Sequence, residues 1–207
     1  MGWPAVLRER LPDNGTLTVR PVHRRDARAW QLVREGNREW LQPWDATMPP
    51  GTPQRSTSYP GLIRRLRRAA RDGTTMPFVI EVDGRFAGQV TVNNIVRGPA
   101  QFASIGYWVG REYAGRGAVP LAVAAVLDHC FGAAGLHRIE IAIRPENSNS
   151  LRVVEKLGLR EVGFAPGFLH IDGAWRDHWI FAITAEECPQ GVVNRLLGPR
   201  NHTSHIG

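Results

Sequence analysis

GREYAGRGAVPLAVAA, residues 110–125, packs three glycines and two arginines into its first eight positions and then runs almost unbroken apolar from Pro120. Proline suits the first turn of a helix, where its missing N–H would have no partner anyway. The stretch therefore reads as a basic, glycine-rich turn feeding a helix over about 119–132. The amides of Gly115, Arg116, Gly117, Ala118 and Val119 converge at such a helix start. Glycine lets the chain curl and a ligand come close. Unpaired amides and the helix dipole favour an anion there by about 0.3–1 kcal/mol. An ordinary tight loop is the competing reading. The segment is not a P-loop, since no Gly-Lys-Ser/Thr closes it, and it lacks GxGxxG directly after a strand.

Working outward, FASIGYWVG at 102–110 reads as the strand that feeds the turn, and PFVIEVDGRFAGQVTVNNIV at 77–96 as two strands around Asp83-Gly84, a strong hairpin signal. TLTVRPV at 16–22 alternates like a strand, and residues 24–37 read as a helix ending near Gly36. Residues 37–58, with Trp40, Trp44 and four prolines, form a loop long enough to suggest binding. Arginines interleaved with apolar residues predict an amphipathic helix over 60–71, its basic face solvated. Downstream come a strand over 137–145, a helix over 147–158 with a glycine stop, and two strands over 160–184 around Asp172-Gly173. The order β-α-α-β-β-β-α-β-α-β-β predicts one α/β (α+β) domain with a mostly antiparallel sheet flanked by helices. Residues 1–15 read as an N-terminal arm, 16–184 as the domain, and 185–207 as a tail with one short helical possibility, VVNRLL.

The 207 residues are 43% hydrophobic and 22% charged, an ordinary globular balance. The net charge of +7 rests on one lysine, Lys156, and 25 arginines, a bias that reads as base composition of a bacterial genome before it reads as a nucleic-acid surface. Direct nucleic-acid binding is not expected. Cys130 sits in an apolar helical run and reads as a small buried hydrophobe, and neither it nor Cys188 has metal-ligand spacing. No secretory leader pattern opens the chain and no apolar window approaches 18 residues. The expectation is a cytoplasmic protein, monomer or homodimer, that needs no metal and no membrane.

A second motif narrows the function. Residues 144–159 read RPENSNSLRVVEKLGL, about thirty positions after the glycine turn. Asn147-Ser148-Asn149-Ser150 and Glu155-Lys156-Leu157-Gly158-Leu159, taken with AGRGAV, resemble the Gcn5-related N-acetyltransferase (GNAT) family over about residues 16–184. SIGYWVG and the tryptophan-rich loop look most like its RimJ/RimL subgroup, which acetylates ribosomal-protein N-termini. The resemblance implies splayed strands at an acetyl-CoA site, with acetyl-CoA as donor and CoA as product. It also implies a backbone N–H near Val109 that polarises the thioester. Ala114 and Val119 depart from the family's loop pattern, but the five loop amides survive both changes.

The loop amides suit the pyrophosphate, and Arg116 and Arg152 suit phosphate charge. Backbone beside Trp108 and Val109 can pair with the cofactor's amide arm. Asn147 can hold an arm amide or simply cap its helix. Ser150 can donate a proton to the departing thiolate or simply be solvated. Trp40 and Trp44 can wall an acceptor groove or staple the loop to the core, and Glu39 and Asp45 can meet a substrate amine. A general base is not evident. Ser104, Val154 and Leu169 stand where relatives carry acid–base groups, leaving His170 and Asp172 as candidates. Its absence favours an α-amine, roughly 10% neutral at pH 7, over a lysine, about 0.04% neutral. The leading expectation is acetyl transfer in a ternary complex to a protein N-terminus of the ribosomal Ala/Ser type. A small-amine acetyltransferase and a non-catalytic acetyl-CoA sensor are the alternatives.

Overall fold

The computed structural model describes residues 2–53 and 58–198. Eight strands form one sheet: β1 (Leu7–Arg10), β2 (Thr16–Pro21), β3 (Met76–Val82), β4 (Arg85–Val96), β5 (Phe102–Val109), β6 (Arg138–Ile143), β7 (Arg160–Ile171) and β8 (Ala174–Thr184). Their order is β1-β2-β3-β4-β5-β6-β8-β7. Every neighbouring pair is antiparallel except β5 and β6. The expected mostly antiparallel mixed sheet is therefore observed. Both Asp-Gly pairs turn with positive φ at each residue, the conformation a two-residue hairpin turn needs to match strand twist.

Helices cover both faces: α1 (Ala27–Gly36), α2 (Arg38–Leu41), α3 (Tyr59–Arg71), α4 (Ala118–Phe131), α5 (Ser148–Leu157) and α6 (Val192–Leu197). The larger core joins α4, α5 and α6 to one sheet face. A smaller one, around Tyr59, Ile63, Val79 and Phe86, seats α1 and α3 on the other. The periodicity of α3 holds: Tyr59, Ile63 and Ala70 are buried while its arginines face out. In contrast, α4 is buried nearly all round, as a helix clamped between a sheet and two further helices must be. Cys130 lies in that core, where burial pushes its thiol up to about 12.

Both ends of the described chain pack onto the domain. Residues 1–15, expected as an arm, contain β1, with Leu7 opposite Val19 and Arg10 opposite Thr16. Four residues are too few to show a period, and the pairing comes from β2. Trp3 packs edge-on against Phe78, ring centroids 4.9 Å apart. At the other end VVNRLL forms α6, and Val192 and Val193 are buried. Its first amides donate to the Asp128 carboxylate on α4, at 2.5 and 3.1 Å. Residues 54–57 of the long loop and 199–207 of the tail lie outside the described residues.

The feature that positions the site is the β5–β6 junction. Pairing runs only from Phe102–Arg138 to Ser104–Glu140. Yet β5 continues to Val109 and β6 to Ile143, so the two strands diverge.

Candidate active site

Two cavities open at this divergence. The first, about 300 Å³, is lined by the glycine turn and the start of α4, by Tyr107, Trp108 and Val109, by Asn147, Ser150, Arg152 and Lys156 near and on α5, and by Trp40 and Trp44. The second, about 190 Å³, is lined by Ile105 to Tyr107 on β5, Ile141 to Arg144 at the end of β6, and Leu169, Ile171 and His178 from the β7–β8 hairpin. Trp44, Tyr107, Asn147 and Ser150 line both. The cavities thus meet in the wedge between the strands.

Backbone geometry equips the wedge. Gly110 N–H donates to the Ala87 carbonyl at 2.9 Å. The alternation of an antiparallel ladder then turns the backbone groups of Val109, Tyr107 and Ile105 towards the side that β6 has left. Trp40 reaches that side, its indole N–H donating to the Val109 carbonyl at 3.0 Å. Gly88 permits the strand approach: a Cβ there would lie 2.1 Å from the Trp108 carbonyl oxygen.

At the head of α4, the N-cap Gly117 has φ 79° and supplies no side-chain cap. Ala118 and Val119 therefore start a fourteen-residue helix whose first amides have no side-chain acceptor. Arg152 and Lys156, four residues apart, share one face of α5 and line the first cavity. Such a turn, beside two cations and an unpaired strand edge, fits an anionic ligand with a long amide-bearing arm.

Most of the expected site residues come together here, and four do not act as expected. Arg116 turns away: its guanidinium pairs with Asp13 at 2.8 Å and Asp83 at 3.2 Å and does not line the cavity. Those carboxylates lie on turns distant in sequence, and they satisfy the cation outside the cradle. Asp45 lines the first cavity, but its carboxylate is taken by Arg34. Glu39 is exposed and lines neither cavity. His170 is buried and also lines neither; its Nδ1 lies 2.8 Å from the Thr47 hydroxyl and its ring stands edge-on to Trp175. That contact fastens the long loop to the β7–β8 hairpin, together with an Ala46–Ile171 bridge and Thr47 N–H donating to the His170 carbonyl at 2.9 Å.

Asn147 is the N-cap of α5, accepting from Ser150 N–H at 3.0 Å, and it also lines both cavities. The capping reading thus holds without removing it from the site. Of the positions where relatives carry acid–base groups, Ser104 is hydrogen-bonded to Asn94, Val154 is core, and Leu169 lines the second cavity. Asp172 is exposed and accepts from Gln42 at 3.2 Å.

Tyr107, Lys156 and His178 line the cavities without having been singled out from sequence. Alternation in SIGYWVG puts Tyr107 beside Ile105 and Val109. The Asp172-Gly173 turn sets His170 opposite Trp175, which puts His178 on the other face of β8, with Leu169 and Ile171.

A sheet that parts between its two parallel strands, with a glycine-rich helix start beside the gap, offers a cradle for an anionic ligand with an extended arm. The acetyltransferase (GNAT) domain family matches residues 16–160, and the chain belongs to that family. The solved structure of Mycobacterium smegmatis RimJ in complex with CoA-disulfide is similar, with 45% identity, 94% of each chain covered and a TM-score of 0.88. The [Ribosomal protein uS5]-alanine N-acetyltransferase of Escherichia coli (strain K12) is 30% identical over 84% of this chain and 91% of its own length. A Bacillus subtilis (strain 168) protein named "Probable N-acetyltransferase YjcK" is 41% identical over 49% of this chain, and the match spans 56% of that protein. Among the described residues no helix is long and apolar enough to cross a membrane, and no cluster of metal-binding side chains occurs.

Proposed function

We propose that the chain transfers the acetyl group of acetyl-CoA to the N-terminal α-amine of a ribosomal protein in the bacterial cytoplasm. The carrying observation is that the two cavities share Trp44, Tyr107, Asn147 and Ser150 at the strand divergence. The first cavity takes the donor. Amides of Gly115, Gly117, Ala118 and Val119 receive the pyrophosphate, Arg152 and Lys156 offset phosphate charge, and the backbone of Val109 and Tyr107 with Asn147 holds the arm, while the Trp108 amide and carbonyl, expected to pair with it, alternate towards β4. The second cavity takes the acceptor, with Trp44 between the two. The Val109 N–H polarises the thioester carbonyl and Ser150 returns a proton to the thiolate, so fixed dipoles and positioning carry the chemistry.

An α-amine fits better than a polyamine. No carboxylate occurs among the described residues lining the second cavity, and a polycation there would have no counter-charge. The similarity to ribosomal-protein acetyltransferases supports the acceptor class. Thiol release from acetyl-CoA is measured with an Ala-initiated peptide, with the same peptide N-terminally blocked but bearing a lysine, and with spermidine. Release with the free N-terminus alone is expected; release with spermidine alone would replace this reading by a small-amine acetyltransferase.

A further inference from the structure

An α-amine with an ordinary pKa of about 7.7–8.0 arrives at neutral pH mainly as its ammonium. A proton must therefore leave before the nitrogen can attack. Among the described residues lining the second cavity there is no carboxylate, Arg144 is a permanent cation, and burial raises the Tyr107 hydroxyl so that it stays protonated. His178 is the remaining side chain with a lone pair that is basic near neutrality. We propose that His178 is the general base of the acetyl transfer, taking the proton from the acceptor ammonium at its Nε2; the assignment rests on the acceptor reading above.

The geometry fixes the tautomer. His178 Nδ1 lies 3.0 Å from the Arg176 carbonyl oxygen. A carbonyl only accepts, so Nδ1 carries the hydrogen and the neutral ring has its lone pair on Nε2. The residue is 4% exposed, its ring packs against Phe168 of β7 with centroids 5.3 Å apart, and it sits on β8 opposite Ala165. The charged groups around it are Arg144 at the end of β6, Glu146 ahead of α5, and Asp177 on β8 itself; β7 contributes the Phe168 ring. Burial lowers the His178 pKa below its ordinary value and Arg144 acts in the same direction, while the hydrogen bond to the Arg176 carbonyl, Asp177 and Glu146 oppose it. The imidazole is therefore neutral at pH 7 and ready to accept. Arg144, lining the same cavity, also favours the uncharged amine over the ammonium.

The step balances. The ammonium gives one proton to Nε2, and the freed amine lone pair forms a C–N bond to the thioester carbon. The C–S bond breaks with its electron pair on sulfur. The nitrogen's second proton then passes, by way of Ser150, to the thiolate. The products are the acetamide, CoA thiol and imidazolium, which loses its proton to solvent.

The test compares wild type with His178→Asn and His178→Gln. Their amides keep a donor for the Arg176 carbonyl but have no basic nitrogen. Both variants are expected to bind acetyl-CoA with wild-type affinity and to lose about 10²-fold in kcat/KM on the Ala-initiated peptide at pH 7. The deficit should shrink as pH rises past the α-amine's pKa, because solution then supplies the neutral amine. Unchanged activity at pH 7, a deficit independent of pH, or loss of acetyl-CoA binding in both variants would each overturn the assignment. Wild-type turnover on spermidine but not on the peptide would overturn the acceptor reading alone, and the same comparison would then be run on spermidine. Acetyl-CoA binding with no wild-type turnover on any of the three amines would overturn both.

Discussion

The indole N–H of Trp40 donates to the carbonyl oxygen of Val109 at 3.0 Å, tying α2, a helical turn at the start of the segment expected as a loop, to the last residue of β5, past the point where the sheet parts. One bond thus serves both readings of that tryptophan. It staples the loop, and it sets one wall of the donor cavity. Trp40→Phe keeps the ring and removes the donor, leaving a carbonyl of a buried residue unpaired at a cost of about 1–3 kcal/mol. The expected outcome is a lower melting temperature and a several-fold higher KM for acetyl-CoA, measured by thermal melting and steady-state kinetics.

Gly117 tests the anion cradle. Its φ of 79° lies in the left-handed region, and it caps α4. A β-branched residue there costs about 1–2 kcal/mol in backbone strain or forces the turn to a new path. Gly117→Val is expected to abolish acetyl-CoA binding in calorimetry while the far-UV circular dichroism stays native. Unchanged affinity would show that the α4 amides do not hold the phosphates.

Gly88 tests the strand approach behind the wedge. An alanine Cβ would meet the Trp108 carbonyl oxygen at 2.1 Å and the Val109 Cα at 2.8 Å, both backbone atoms that cannot swing aside. Gly88→Ala must therefore push β4 and β5 apart. Overpacking of this kind costs about 1–3 kcal/mol. A reduced urea midpoint together with weakened acetyl-CoA binding is expected, the second because Val109 moves with its strand.

The cationic face of α5 predicts a graded effect. Arg152→Ala and Lys156→Ala should each weaken acetyl-CoA by about two- to fivefold, the scale of exposed charge contacts worth up to about 1 kcal/mol. The effect should fade at high salt, where such charges are screened. Arg116→Ala should leave acetyl-CoA affinity nearly unchanged, because that guanidinium is committed to Asp13 and Asp83. Calorimetry at two ionic strengths separates the three variants.

Local signals made much of the site legible. The glycine turn before Pro120, the Asn147 cap, and the Asp83-Gly84 and Asp172-Gly173 turns each declare themselves within a few residues. Long-range partners set what stayed hidden. Arg116 reads as a phosphate ligand until Asp13 and Asp83, 103 and 33 positions away, are brought beside it. Residues Leu7–Arg10 become a strand only because β2 offers an edge. The two histidines of the last hairpin look equivalent in sequence. Only the register His170–Trp175 separates the one that fastens the loop from the one that lines the cavity. Two irregularities in β7 add to this, since its pairing with β8 shifts between Glu161 and Gly163 and again between Ala165 and Leu169.

The most direct measurement uses a single peptide that begins with alanine and also contains a lysine, incubated with acetyl-CoA and sequenced by tandem mass spectrometry. One acetyl group on the α-amine, and none on the lysine, is the predicted product. Acetylation of the lysine, or no acetylation while calorimetry shows acetyl-CoA bound, would contradict transfer to a protein N-terminus.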